Sequence, residues 1–362
     1  MTSTVPTVPA TPAMSATSDL DAVQRRLTGI RRAAGRQWAL VAGSLGLLVL
    51  ALFACRVLLG DYTVTVPDFF RLLAGENIPG ARFIVMESKL PRALMGLLTG
   101  LSFGAAGAVF QTMLRNPLAS PDIIGVSLGS SAGAVIAIVL IGGTGALVPV
   151  AALIGALVVA AVIFLLSRHQ STAGIRMVLV GIGVAALLQA VVVQLLSRTD
   201  IYRANDALQW IVGSLNGATW ERLALLGLGL VLVAPFLAAW GRRLRILPLG
   251  DDLAAGLGLD VERTRLALLV VGVALTAFPT AAAGPISFIA LLSGPIARRL
   301  NGGRATIVIA ALVGAAIVLA ADYAAAYLIP GTVLPVGVLT GGLGAPFMLW
   351  LLLSRRAGAS EG

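Results

Sequence analysis

Long apolar blocks alternate with short polar loops along most of the chain. Each block approaches the length of about 20 residues that a helix needs to cross a bilayer. A backbone in lipid must satisfy its own hydrogen bonds, so the possible structures are helices or a closed barrel. Barrel strands alternate apolar and polar residues, whereas the block Ala146–Leu166 is apolar throughout. The pattern therefore predicts helices.

The apolar blocks predict an all-α membrane protein, a polytopic bundle of about ten transmembrane helices. Gly284 and Pro285 interrupt one apolar run, and we place the boundary between the seventh and eighth helices there. The predicted spans lie near residues 37–59, 91–114, 122–142, 146–166, 174–197, 221–240, 265–283, 286–299, 305–327 and 335–354.

The chain before the first apolar block divides into two parts. Residues 1–18 are rich in Thr, Pro, Ala and Ser and lack an apolar region, so we expect a disordered tail and no signal peptide. Residues 19–33 place apolar side chains at helical spacing among arginines, which predicts a basic amphipathic helix that either lies on the inner leaflet or is simply solvated. The predicted domains are a cytoplasmic tail (1–36), a ten-span permease domain (37–356) and a C-terminal tail (357–362).

Composition and charge agree with a membrane protein. The 362 residues are 58% hydrophobic and 12% charged, against roughly 45–50% and 25% in soluble domains. The net charge of +10 would also suit a nucleic-acid-binding protein, but the basic residues cluster between apolar blocks. We therefore expect contact with membrane lipid and no nucleic-acid partner.

The arginines also predict the orientation of the bundle. With the N-terminus inside, most of them flank inner loops, as the positive-inside rule requires. Removing one span would move Arg298, Arg299, Arg355 and Arg356 to the outer side. Ten spans with both termini in the cytoplasm is the interpretation that fits.

Few residues offer catalytic or metal-binding chemistry. Cys55 is the only cysteine and His169 the only histidine, so neither a disulfide within the chain nor a His-based metal site can form. Lys89 is the only lysine and lies outside any G-x-x-x-x-G-K-[ST] motif, so the chain is no P-loop ATPase. We expect no catalytic residue, no cofactor and no metal ligand. A membrane-embedded enzyme is disfavoured further because no span carries paired carboxylates.

The sequences of two inner loops indicate roles beyond connecting one helix to the next. After the second span, Pro117 disfavours helix at Asn116, so Asn116, Pro117 and Leu118 should form a stiff turn. We expect Ser120 to cap the next helix with Pro121 at its first position. The turn is either a plain connection or an element that narrows the inner mouth of a pore.

The longer inner loop predicts a short helix with an acidic start. Asp251 and Asp252 could begin it, and Gly256 and Gly258 would end it. Between basic flanks, such a helix suits a docking surface for a cytoplasmic partner better than a mere connection. The candidate docking residues are Leu249, Gly250, Asp251, Asp252, Ala255, Gly256, Leu257 and Gly258.

Glycine marks two further features. The break at Gly284 and Pro285 is tolerated at membrane depth only where it is buried or lines a cavity, so Gly284, Pro285 and Ser287 are candidates for a translocation path, with a packing kink as the alternative. Two ladders of glycines at four-residue spacing predict close helix packing in lipid. The ladders are Gly96, Gly100 and Gly104, and Gly125, Gly129 and Gly133.

A series of sequence segments, which follow one another in the family's order from about residue 37 to residue 356, resembles the FecCD/BtuC-like permeases. That family supplies the membrane subunits of ABC importers for iron-siderophores, haem and vitamin B12. The segments most like ferric-enterobactin permeases are Gly213–Gly217 and Gly284–Ala290. The other matches include Leu90–Arg92, Asn116–Ala119, Gly125–Ser127, Gly256–Gly258, Ala321–Asp322, Leu334–Gly337 and Gly344–Phe347.

The resemblance implies a BtuC-like fold and a set of partners. Two permeases would form a dimer on a pair of ABC ATPase subunits, which bind the ATP. An extracellular binding protein, a lipoprotein or a periplasmic protein, would deliver the chelate. The second permease is either identical or a sister chain, and the enterobactin-like segments favour a heterodimer. The implied cargo is an iron-siderophore complex of the catecholate type carried across a bacterial inner membrane, with haem or a corrinoid as the alternative.

The same resemblance implies roles for individual residues. The loop from Leu249 to Leu259 is similar to the coupling helices that contact the ATPase. Asn116 and Leu118 match an inner gate, and Ser171 and Thr172 occupy the position of a second gate element. Lys89 and Arg92 match outer basic positions that pair with acidic residues of the binding protein.

Two departures from the family pattern affect the docking contacts. Gly294 and Pro295 stand where many members carry Pro-His, and Ala326 stands where some carry an outer arginine. A third basic docking site is therefore not transferred to this chain.

An ion-coupled secondary transporter is the remaining alternative, and such proteins usually place ionisable residues at the midplane of the bilayer. Asp322 is the one strong candidate, and its position near an outer helix end favours a polar cap.

Overall fold

The computed structural model describes a helical protein. Among the described residues every regular element is a helix, and no strand occurs. The predicted gate residues Ser171 and Thr172 lie outside the described residues. The described ranges are residues 16–122, 125–167, 173–304, 306–329 and 331–359.

The first part of the chain forms one long helix and an irregular helical entry to the second span. Helix α1, Ala16–Leu58, joins the predicted basic helix and the first predicted span without a break. Two short helices follow, α2 (Val66–Leu73) and α3 (Ala81–Phe83). A π-helical stretch, Ile84–Lys89, then continues directly into α4, Leu90–Met113.

The remaining helices complete the bundle. They are α5 (Val126–Val139), α6 (Leu147–Ser167), α7 (Ala173–Leu196), α8 (Ile201–Val212), α9 (Trp220–Gly241), α10 (Asp251–Gly256), α11 (Val261–Ala283), α12 (Ile289–Leu300), α13 (Ile307–Tyr327) and α14 (Val336–Ala359). Two turns of 3₁₀-helix, Arg243–Arg245 and Leu247–Leu249, lead from α9 to α10.

The ten predicted spans correspond in order to α1, α4–α7, α9 and α11–α14. Seven helices of the described chain are long and apolar enough to cross a membrane, and two shorter apolar helices lie at 126–139 and 336–350. Helix α12 has only 12 residues because the irregular segment after Gly284 takes up part of its path. The sequence interpretation missed α2 and α8, whose first turns are capped by Thr65 and Asp200.

The start of α5 differs from the prediction. The helix begins at Val126, and Gly125 precedes it in the left-handed conformation, which glycine adopts without strain. Ser120 is buried and caps no helix that the structure describes. The prediction failed because Ser-Pro is also a common turn sequence, and the extra turn delays the helix to the next glycine.

Helix α4 lies at the centre of the bundle. Phe103 and Phe110 of this helix are almost completely buried, and α9, α11, α12 and α13 surround it. On α7 the leucines Leu179 and Leu187 are instead largely exposed. Such large apolar side chains are expected to face lipid or another subunit, because soluble surfaces rarely carry extended apolar patches.

Glycines of the two ladders create close helix contacts, as the spacing predicted. A Cβ added to Gly100 would lie 2.5 Å from the Cα of Ala315 on α13, and one added to Gly104 would lie 2.2 Å from the carbonyl oxygen of Ala310. On α5, a Cβ at Gly133 would lie 2.3 Å from the carbonyl oxygen of Ala151. No side chain fits at these positions unless the helix backbones separate.

We expect Gly104→Val to prevent the normal approach of α4 and α13. Overpacking of this kind usually destabilises by about 1–3 kcal/mol, and a backbone neighbour cannot move aside as a side chain can. The amount of monodisperse protein after detergent extraction should fall strongly. Gly46→Val is the matched control, because nothing lies within 4 Å of a Cβ at that position of α1. Equal yields of the two variants would contradict the packing described here.

Candidate functional site

Two opposite ends of the bundle carry the predicted functional residues. We call the end with the loop segments 114–122, 242–260 and 301–304 the basic end, because it exposes Arg243, Arg245 and Arg299. At the opposite end, the indole nitrogen of Trp220 donates a hydrogen bond to the carbonyl oxygen of Met86.

At the basic end, α10 presents an exposed apolar surface. The relative exposures of Leu249, Leu253 and Leu257 are 55%, 63% and 65%. Leu253 lies within α10, Leu257 directly follows its last residue, and Leu249 ends the 3₁₀ turn that precedes it. We call these three residues the leucine face. The helix begins at Asp251 as predicted, but Gly250 precedes it and no side chain caps it.

Around α10, glycines fix the limits of the helix. Gly250 has φ +117° and Gly258 has φ +84°, conformations that other residues rarely adopt. Gly256 is the last helical residue, and nothing lies within 4 Å of a Cβ built on it. Ala255 and Asp252 are exposed, whereas Ala254 is buried against the bundle. The predicted docking residues therefore form one accessible projection.

Asp251 connects α10 to two other segments. One of its carboxylate oxygens accepts a hydrogen bond from Arg115 at 2.6 Å and another from Arg265 at 2.8 Å. Arg115 also donates through Nε to the carbonyl oxygen of Leu247, at 3.0 Å. The sequence interpretation assigned no role to Arg115 or Arg265, because their separation from Asp251 in sequence gives no hint of the contact.

The turn after α4 is as tight as Pro117 predicted. The side-chain oxygen of Asn116 accepts a hydrogen bond from the backbone nitrogen of Leu118, at 2.9 Å, and the carbonyl oxygen of Asn116 accepts one from Ala119. Arg115, the first residue of this turn, has φ +50° although it is not a glycine. We call residues 115–119 the gate turn.

The gate turn contacts the second half of the bundle. Asn116 is exposed, whereas Leu118 is half-buried. Leu118 packs in a small apolar cluster around Leu292 of α12 and Met348 of α14. A displacement of this turn would therefore disturb α12 and α14 as well as the loop that contains it.

The break between α11 and α12 forms a backbone junction. A Cβ at Gly284 would lie 2.4 Å from the carbonyl oxygen of Trp210, and one at Gly213 would lie 2.4 Å from that of Pro285. Gly284 and Pro285 are buried, whereas Ser287 is exposed. Of the three residues predicted to line a path, only Ser287 presents an accessible side chain, and the path itself stays a prediction.

At the opposite end, Lys89 and Arg92 make internal contacts. The ammonium group of Lys89 donates to the carbonyl oxygens of Leu59 and Tyr62. Arg92 donates hydrogen bonds through two of its guanidinium nitrogens to the carboxylate of Asp322, and the shortest nitrogen–oxygen distance is 2.8 Å. Lys89 is 6% exposed. Their proposed contact with a binding protein stays a prediction, and the burial adds a structural role for both residues.

Asp322 is the centre of a buried ion cluster that joins three helices. Its other carboxylate oxygen lies 2.6 Å from Nε of Arg56, so one aspartate on α13 pairs with arginines of α1 and α4. Asp322 is 1% exposed. The sequence interpretation favoured a polar cap for this residue, and that is wrong because the carboxylate points into the bundle. Arg56 was missed, although an arginine in the last turn of an apolar span is a signal.

A bundle of long apolar helices, with an accessible projection at its basic end and Asp322 as the one buried acidic residue of the described part, is typical of a multi-span membrane protein. The FecCD transport family matches residues 47–354. A ferric enterobactin permease of Escherichia coli, FepG, is 40% identical over 81% of this chain and 89% of its own. The chain belongs to the FecCD transport family, the membrane subunits of ABC importers.

Two further comparisons agree with this family assignment. An achromobactin transport permease of Dickeya dadantii, CbrC, is 37% identical over 86% of this chain and 90% of its own. A solved metal-chelate type ABC transporter in an inward-facing conformation has a TM-score of 0.78 and 26% identity, and it covers 87% of this chain and 99% of its own. The BtuC-like permease fold is thereby established.

Proposed function

We propose that this permease carries an iron-siderophore complex of the catecholate type inward across a bacterial cytoplasmic membrane, with both of its termini in the cytoplasm. The observation that carries the ATP-driven mechanism is the leucine face of α10. The similarity to the ferric enterobactin permease supports the catecholate cargo. Haem or a corrinoid is the alternative cargo.

The leucine face lies between charged segments and outside every predicted span, so lipid should not cover it. A fully buried leucine contributes roughly 1.5–3 kcal/mol relative to an exposed one. A partner that covers Leu249, Leu253 and Leu257 would therefore gain substantial binding energy. The predicted ATPase subunit on the cytoplasmic side is the partner that suits this surface, and it would bind the ATP.

The positive-inside rule supports the placement of the basic end in the cytoplasm. Arg243, Arg245 and Arg299 are exposed there. The ATPase-facing α10 and the gate turn would then lie on the same side of the membrane. In the proposed cycle, ATP binding moves α10, and the gate turn and the outer mouth open alternately without any chemical step in this chain. Ser171 and Thr172 are proposed to form the second part of the inner gate.

The proposed assembly contains a second permease, favoured to be a sister chain, and an extracellular siderophore-binding lipoprotein or periplasmic protein. Helix α14 exposes Leu343 and Trp350, and α7 exposes Leu179 and Leu187. These apolar surfaces suit a subunit interface or lipid. A wide path at the dimer seam would suit a bulky ferric chelate better than a narrow filter, since strong ligands in the wall would slow release.

Growth and uptake on single iron sources test the cargo. We expect that deletion of the gene reduces uptake of ⁵⁵Fe-labelled ferric enterobactin and leaves uptake of ferric hydroxamates, haem and cobalamin unchanged. Uptake should return with the intact gene and require the ATPase subunit. Loss of haem or cobalamin uptake alone would overturn the catecholate assignment. Uptake that persists without the ATPase would favour an ion-coupled transporter.

A further inference from the structure

The side chain of Arg115 is a direct link between α10 and the gate turn. Its guanidinium group contacts Asp251 at 2.6 Å and the carbonyl oxygen of Leu247 at 3.0 Å. Arg115 precedes Asn116, whose side chain closes the turn onto Leu118. One residue therefore joins the segment proposed to contact the ATPase to the turn proposed to close the inner mouth.

This ion pair is too exposed to contribute much to the stability of the fold. The side chains of Arg115 and Asp251 are 40% and 48% exposed. Exposed ion pairs typically contribute no more than about 1 kcal/mol. Arg115 nevertheless occupies the left-handed region at φ +50°, which is unfavourable for an arginine. This conformation ends α4, because the backbone nitrogen of Asn116 donates a hydrogen bond to the carbonyl oxygen of Gln111. The helix end therefore fixes the backbone from which the side chain of Arg115 reaches Asp251.

Asp251 also anchors the link to the long helix α11. Its carboxylate accepts a hydrogen bond from Arg265, in the second turn of α11, at 2.8 Å. Helix α11 is largely buried and packs against α4 and α9. The carboxylate thus lies between a fixed arginine of the bundle and the arginine of the gate turn, so a movement of α10 changes both distances at once.

We propose that Arg115 and Asp251 are positioning residues that transmit the movement of α10 to the gate turn. The pair makes ATP-driven motion at the leucine face move the Asn116–Leu118 turn in the same step. This inference rests on the proposed function, because it requires an ATPase at α10. When the link is absent, the ATPase should still bind and hydrolyse ATP, and the gate should respond poorly.

The substitutions Arg115→Asn and Asp251→Asn test the link in the full complex with its ATPase. Asparagine is well tolerated at positive φ, so the first variant should fold. Asp260→Asn is the matched control, because Asp260 lies in the same loop as Asp251 and pairs with Arg263 in the first turn of α11, and asparagine preserves the helix cap that Asp260 provides. Proteoliposomes are assayed with ferric enterobactin for chelate transported per ATP hydrolysed, and each complex is assayed for ATPase retention.

Either substitution should reduce the chelate transported per ATP by at least about fivefold, a typical size for coupling between sites. The double variant should lose no more than either single variant, because both remove the same link. Arg115→Lys should keep part of the coupling, and Asp260→Asn all of it. Normal coupling in both single variants would overturn this inference alone. An unaltered complex without an ATPase or without ATP-driven uptake would overturn the proposed function.

Discussion

Asp322→Asn is expected to destabilise the bundle by about 3–5 kcal/mol, the range for breaking a buried ion pair while its partners stay in place. The substitution leaves Arg56 and Arg92 without their carboxylate, and both arginines are largely buried. Because their shared partner joins α1, α4 and α13, these helices should separate at the end opposite the basic end. Thermal unfolding followed by size-exclusion chromatography in detergent measures the loss.

Glu76→Gln is the control for the removal of an acidic charge at the same end. Glu76 lies 4.0 Å from Arg71, and both side chains are more than half exposed. We expect this change to stay within about 0.5 kcal/mol of the unaltered protein. Equal stability of the two variants would contradict the structural role of the ion cluster. A stable Asp322→Asn variant that loses uptake would favour an ion-coupled transporter that depends on Asp322.

Gly256→Trp is expected to abolish ATP-driven uptake without affecting the folded state. Within the chain, nothing lies within 4 Å of a Cβ at Gly256, and the residue is exposed. A tryptophan there can therefore clash only with a partner. If α10 sits in a cleft of the ATPase, the indole should prevent its seating, and uptake should fall by more than about tenfold, equivalent to about 1.4 kcal/mol or more.

The same substitution at Gly29 is the control. Gly29 also has open space around its Cβ, and it lies on α1 outside the predicted spans. The thermal stability of both variants should match that of the unaltered protein. Retention of the ATPase and ATP-dependent uptake in proteoliposomes are the two readouts. Normal uptake by the Gly256→Trp variant would remove the coupling role from α10.

Local sequence information was sufficient for the order and approximate position of the spanning helices. A run of apolar residues specifies a span by its length alone, and Pro117 specifies the gate turn because its effect on Asn116 is local. The break at Gly284 and the end of α10 near Gly258 follow from the same kind of signal. These features need no knowledge of distant residues, and the structure contains all of them.

Contacts between segments that are distant in the chain could not be predicted from the sequence. Asp322 pairs with Arg56, 266 positions away, and the aspartate's burial depends on the packing of α1 and α4 against α13. Arg115 meets Asp251 across 136 positions for the same reason. The amphipathic α8 was missed because its polar residues interrupt the apolar pattern. The glycine ladders are the one long-range feature that the sequence did predict, because their four-residue spacing by itself indicates that two helix backbones approach closely.

Labelling of a cysteine at position 255 tests the central claim that α10 meets an ATPase in the cytoplasm. Ala255 is exposed, and Cys55 can be replaced by alanine to leave Ala255→Cys as the one reactive thiol. A membrane-impermeant maleimide should label this residue in inside-out vesicles stripped of the ATPase and should not label it in intact spheroplasts. Added ATPase should protect it. Labelling from the outside, or no protection by the ATPase, would contradict the account.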